Sequence, residues 1–66
     1  MAASESDVIR KLRHDLSNPL AALLAESQLL LLNEATLDAE TVEGLREIEA
    51  LARRMRDMLA ATRAPG

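Results

Sequence analysis

Leu45-Arg46-Glu47-Ile48-Glu49-Ala50-Leu51-Ala52-Arg53-Arg54-Met55-Arg56-Asp57-Met58-Leu59-Ala60-Ala61-Thr62 decides the fold of this chain. Core-type residues recur at Leu45, Ile48, Ala52, Met55, Leu59 and Thr62, in alternating steps of three and four. That spacing places them on one face of an α-helix. Sustained over this length, it is the seam of a helix that packs against other helices. Leu51 and Met58 widen the stripe, and the charged residues between form a solvated face. Gly44, just upstream, costs about 1 kcal/mol in a helix interior. Close packing near a turn is the one role the sequence offers it.

Toward the N-terminus, Asn33 to Asp38 reads as a short connection, and the second helix is predicted over about 39–62. Glu40 falls in its first turn, where a carboxylate complements the helix dipole. Arg63-Ala64-Pro65-Gly66 reads as its stop and suits a boundary linker. The first helix is predicted over about 7–32. Ser6 or Asp7 can cap its start, and Asn33 can end it in the left-handed conformation. A connection this short joins antiparallel neighbours, so the expected fold is all-α, a two-helix antiparallel hairpin forming one domain over residues 1–66.

The first helix carries its own stripe: Ile9, Leu12, Leu16, Leu20, Leu23, Ser27, Leu30. Two steps of four fall together there, the second of them across Pro19, which fits a kink or local unwinding at the proline. Leu24, Leu29, Leu31 and Leu32 make the lower half apolar on more than one face. A single hairpin cannot cover that much surface. Two hairpins packed as a four-helix bundle can, so a homodimer is expected.

Composition points the same way. A 66-residue chain buries only about 60% of its unfolded surface and is marginal alone. There is no cysteine and only one histidine, so neither a disulfide framework nor a zinc-type ligand cluster is available. Association remains as the way to complete a core. There is no Phe, Tyr or Trp for base stacking, and the net charge of −3 opposes binding to a phosphate backbone, so nucleic acid is not an expected partner. No apolar run approaches the roughly 18 residues of a membrane span. The opening Met1-Ala2-Ala3-Ser4-Glu5-Ser6 has no basic or apolar signal-peptide region. A soluble, cytoplasmic segment without membrane contact is expected.

The lone histidine stands in His14-Asp15-Leu16-Ser17-Asn18-Pro19-Leu20. With Leu16 as the centre of the core stripe and about 100° per residue, His14 falls about 160° away, on the outer side. Arg10, His14 and Asn18 form an exposed column, continued below by the small side chains of Ala21 and Ala25. A mid-helix proline costs about 3 kcal/mol or more, so its presence beside the only imidazole needs a reason. An unprotonated imidazole nitrogen is a competent nucleophile at neutral pH.

This stretch resembles the H-box of sensor histidine kinases, whose pattern is His-acid-Leu-x-(Thr or Asn)-Pro-Leu. All its fixed positions are met, and the resemblance extends more loosely over most of the chain. It implies a dimerisation and histidine-phosphotransfer domain in which His14 accepts a phosphoryl group and passes it to an aspartate on a response-regulator receiver domain. It further implies that Asp15 holds the imidazole and accepts its other proton, and that Asn18 orients water for dephosphorylation of the regulator. Pro19 would loosen the turn that carries His14 and Asp15. The kinase family also needs a nucleotide-binding domain with Asn-rich and Gly-rich boxes. The only glycines here are Gly44 and Gly66. ATP and Mg²⁺ are therefore expected on a separate kinase domain, acting in cis or in trans, and no cofactor or metal on this chain. The chain is expected to be a domain of such a kinase or, alternatively, a stand-alone phosphotransferase relaying between receivers. The rival from another class is a plain dimerisation module with an inert His14.

Partner or phosphate contacts are expected from Arg10, Ser17 and Ala21 on the first helix. On the second, a hairpin turning near Ala35 would set Arg53, Arg54 and Arg56 level with the imidazole. Arg53 and Arg56 are the better placed to meet a phosphoryl group or an acidic partner. The partner is expected to dock across the upper part of helix one and the facing part of helix two.

Overall fold

The structure is a computed structural model that describes residues 5–62, with side chains from residue 7 onward. Helix α1 spans Glu5–Leu31 and helix α2 spans Ala39–Ala60, with one 3₁₀ turn, Glu34–Thr36, between them. The helices pack against each other as an antiparallel hairpin, a rod of 55 × 17 × 17 Å. The all-α hairpin expected from the periodicity is the fold observed.

The boundaries differ in instructive ways. Ser6 and Asp7 lie inside α1, not at its cap, because the helix already runs from Glu5. Asn33 does not adopt the left-handed conformation; its φ is −105° and ψ 29°. The end of α1 is tightened instead. The Leu32 N–H donates to both Gln28 and Leu29 carbonyls, and the Asn33 N–H to Leu30, a three-residue spacing that satisfies terminal carbonyls without a glycine-type cap. The Thr36 N–H and hydroxyl both donate to the Asn33 carbonyl, which closes the turn. Arg46 reaches back from α2 to pair with Glu34. Arg63-Ala64-Pro65-Gly66 lies outside the described residues.

Asp38 caps α2. Its backbone is extended, and its carboxylate accepts the Thr41 N–H at 2.7 Å. Glu40 follows in the first turn, at the positive end of the dipole.

The core is a narrow line. Leu20, Leu24 and Ser27 from α1 meet Ala52 from α2, with Leu59 packed against them. The Ser27 hydroxyl donates to the Leu24 carbonyl at 2.9 Å, so the one buried polar side chain among the described residues is satisfied locally. Most of both stripes stays outside this line. Ile9, Leu12, Leu16, Leu23 and Leu30 of α1 are exposed, as are Ile48, Leu51, Met55 and Met58 of α2. On each helix these residues keep a seven-residue repeat, so the hairpin presents a second apolar face beside its own core. The fold fits a four-helix bundle in which that face is covered.

Gly44 belongs to this outward face, one turn before Ile48. A Cβ there would meet nothing within 4 Å, so close packing inside the hairpin is not its reason. Pro19 also departs from expectation. Helix α1 runs unbroken through it, with no unwound turn. The loss is confined to one hydrogen bond, because Pro19 has no N–H to offer the Asp15 carbonyl.

Two outcomes test this packing. Ala52→Leu should destabilise the protein by about 1–3 kcal/mol through overpacking, while Ala50→Leu on the exposed face should not; urea unfolding at one fixed protein concentration measures both. The Thr41 hydroxyl, and after it the Thr41 N–H, hold the Asp38 carboxyl below its ordinary value. A depressed folded value stabilises the folded state at pH values above the unfolded pKa, and the contribution fades as pH falls through the folded one. Asp38→Asn should keep the cap but flatten this part of the acid dependence, whereas Asp38→Ala should lower Tm at neutral pH as well.

Candidate functional site

The site is built on the middle turns of α1. His14 is exposed, and it lies in a shallow groove with Asp7, Arg10, Lys11, Arg13 and Ser17. Three cations from one helix therefore ring the imidazole. Each has only a weak partner. Arg10 pairs with Asp7 at 3.5 Å, and Lys11 with Asp15 at 3.5 Å. Exposed pairs of this spacing are worth about 0.5 kcal/mol or less, so an incoming anion displaces them at little cost.

Asp15 does not hold the imidazole in this arrangement; its carboxylate is turned to Lys11, one helical turn back. Among the described residues the imidazole has no hydrogen-bond partner. The reason is geometric. Neighbouring residues on a helix point about 100° apart, while residues four apart share a face. Asn18 is exposed on the same outer side of α1. The Ser17 hydroxyl donates to the Arg13 carbonyl at 2.6 Å, a bond that braces the helix from Arg13 to Ser17, across the His14 turn.

Arg13 is the residue that sequence reasoning passed over. It is half-buried, and its guanidinium donates to Thr62 Oγ1 at 3.3 Å; the Thr62 hydroxyl in turn donates to the Leu59 carbonyl at 2.6 Å. This links the residue before His14 to the last turn of α2. The available signal was its spacing. Arg13 lies four residues before Ser17 and seven before Leu20, on the edge of the core stripe.

That contact also fixes the register. Arg13 stands beside Thr62, and Leu24 shares the core with Ala52. The residues of α2 level with His14 are then Ala61 and Thr62. Arg53, Arg54 and Arg56 sit lower, because the hairpin turns about Leu37 and Asp38 and not about Ala35. Arg53 pairs with Glu49 at 3.6 Å and does not line the histidine groove. Arg56, beside Asp57 at 3.6 Å, does line a second groove of about 420 Å³ between the helices, together with Arg13, Ser17 and Ala21. The two grooves share Arg13 and Ser17, so one surface runs from the imidazole down between the helices. His14, Arg10 and Ser17 are thus brought together, Ala21 and Arg56 lie just below, and Arg53 stands apart.

This exposed histidine on a helical hairpin with a leftover apolar face agrees with comparison to known families. The His Kinase A (phospho-acceptor) domain matches residues 4–64, and the chain belongs to that family. No curated protein and no solved structure matches it. Membership gives the chain a phosphoacceptor and dimerisation role in two-component histidine-kinase signalling, with kinase-family partners. Among the described residues no helix is long and apolar enough to cross a membrane.

The proline gives a test specific to this site. Pro19→Ala restores a donor for the Asp15 carbonyl and should stabilise the protein by about 1–3 kcal/mol. A rise in Tm followed by circular dichroism is expected; a fall would mean that the proline ring itself is packed in the assembled protein.

Proposed function

We propose that His14 is the phosphorylated residue of this domain. It receives the γ-phosphoryl group of ATP from a separate nucleotide-binding domain and passes it to an aspartate of a response-regulator receiver. The observation that supports this most directly is the placement of the only imidazole: exposed, unpartnered among the described residues, and ringed by Arg10, Lys11 and Arg13.

In the first step a lone pair on one ring nitrogen attacks the γ-phosphorus. A P–N bond forms, the P–O bond to the bridging oxygen breaks, and ADP leaves with its electron pair. The other ring nitrogen carries a proton whose charge must be stabilised as the imidazolium develops. In this reading Asp15 takes the role by exchanging Lys11 for the imidazole. In the second step the carboxylate of the receiver attacks phosphorus, and the P–N bond breaks with its electrons returning to the ring. The cations beside His14 offset the phosphoryl charge in both directions. ATP and Mg²⁺ belong to the partner domains in this reading, and Asn18 has the amide chemistry to orient a water for regulator dephosphorylation. A cytoplasmic homodimer is the state in which we place the reaction.

Incubation with a histidine-kinase nucleotide-binding domain and radiolabelled ATP should give acid-labile label on the wild type and none on His14→Gln. Label retained by His14→Gln, or no label on a folded wild-type dimer from any donor, sinks the assignment.

A further inference from the structure

Lys11 stands between the two groups that phosphorylation of His14 must bring together. Asp15 and His14 point about 100° apart around α1. Lys11, one turn toward the N-terminus, falls inside that angle, about 40° from Asp15 and about 60° from His14. Its ammonium can therefore serve either neighbour. In the structure it pairs with Asp15, Nζ to Oδ2 at 3.5 Å, with both side chains exposed. Yet Lys11 lines the groove that holds His14, and Asp15 does not. The imidazole has no hydrogen-bond partner among the described residues. The other carboxylate of that groove, Asp7, is a rise of about 10 Å up the helix and pairs with Arg10.

We propose that Lys11 is a positioning residue for Asp15. It holds the carboxylate off the imidazole until a phosphoryl anion enters the groove and draws the ammonium away, which frees Asp15 for His14. The proposal rests on the reading of His14 as phosphoacceptor with Asp15 as its acid, and adds what times the release of that acid.

Charge decides which partner Lys11 keeps. A phosphoryl group carries more negative charge than a carboxylate and offers three acceptor oxygens. At His14 it would lie between Lys11 on one side and Arg10 on the other, at about 60° and 40° from the imidazole. The existing pair is weak by comparison. It is exposed, and its base precedes its acid along the helix, the less favourable of the two orders. It therefore yields to the stronger anion, and Asp15 is released just as the developing imidazolium needs a carboxylate. The consequence is selectivity: His14 is activated toward an anionic phosphoryl donor more than toward a neutral electrophile.

His14 is the only imidazole in the chain, so its reactivity can be read directly. The full chain is treated at about pH 8, where an ordinary imidazole is neutral, with two small reagents. Diethyl pyrocarbonate is neutral and acylates the ring, which absorbance follows. Phosphoramidate is an anionic phosphoryl donor, and phosphorus NMR follows the phosphohistidine. In that reaction a ring nitrogen attacks phosphorus and the reagent's own P–N bond breaks. Ammonia leaves with the electron pair, and the proton of the other ring nitrogen goes to solvent by way of Asp15. Lys11→Met, with helicity checked by circular dichroism, should raise the acylation rate about two- to threefold, the effect available to a pair this weak. It should lower the phosphorylation rate by a similar factor, because the phosphoryl group loses its cation. Lys11→Arg should restore both rates. The acylation gain should vanish in the Asp15→Asn background, so that Lys11→Met/Asp15→Asn and Asp15→Asn react alike. Rates that stay unchanged or move in the same direction, or an acylation gain that persists without the Asp15 carboxylate, overturn the inference while leaving His14 as phosphoacceptor. Wild type that takes no phosphoryl group, either from phosphoramidate or from ATP with a histidine-kinase nucleotide-binding domain, overturns the phosphoacceptor reading and the inference with it.

Discussion

Two helices touch along one line, and that limit organises the whole molecule. Leu20, Leu24 and Ser27 meet Ala52 along this contact, and little else is buried among the described residues. Small side chains at Ser27 and Ala52 set how closely the axes approach, within the roughly 8–10 Å typical of packed helices. A line of contact divides the surface of a hairpin into two long sides. One side keeps Ile9, Leu12, Leu16 and Leu23 together with Ile48, Leu51, Met55 and Met58. The other keeps Arg13, Ser17, Ala21 and Arg56.

The division separates two tasks. The first side is too apolar for a lone monomer and suits association, which the family membership of the chain supplies. The second side is polar at its top and carries the imidazole. Because His14 lies about 160° from the Leu16 stripe, association through that stripe leaves the ring open to partners. Gly44 fits this scheme as a residue of the associating face, where the absence of a side chain is felt by whatever covers it and not by the hairpin.

Much of this was legible in the sequence because helical period is a strong signal. Leu45 to Thr62 gave the second helix, the surplus leucines gave an uncovered face, and the angle from Leu16 gave an outward His14. Register was not legible. Counting from Ala35 set Arg53 to Arg56 beside the imidazole, but the turn is centred near Leu37 and Asp38, where the 3₁₀ turn and the Asp38 cap place it. Each residue of error in the centre moves the pairing by two. The left-handed end expected at Asn33 failed for a related reason, since three-residue hydrogen bonds already served the final carbonyls of α1. Local side-chain choices were hidden as well. Nothing in the order His14-Asp15 tells that the carboxylate turns to Lys11, nor that Arg13 crosses to Thr62.

The His14 turn sits where the core gives out. Leu20 is the highest buried residue of α1, and above it the helices are joined by half-buried Arg13 and its 3.3 Å bond to Thr62. Pro19 removes one backbone bond from the same stretch, and Ser17 adds a side-chain bond to it. The His14 turn is therefore held by a few polar contacts near solvent, the kind that open at low free-energy cost. The lower hairpin is held by leucine burial and by the capped, salt-bridged turn at Asp38 and Glu34. With a base held by burial and an upper end tied by a few polar contacts, the His14 turn is the part that can open without disturbing the apolar face through which the protein associates.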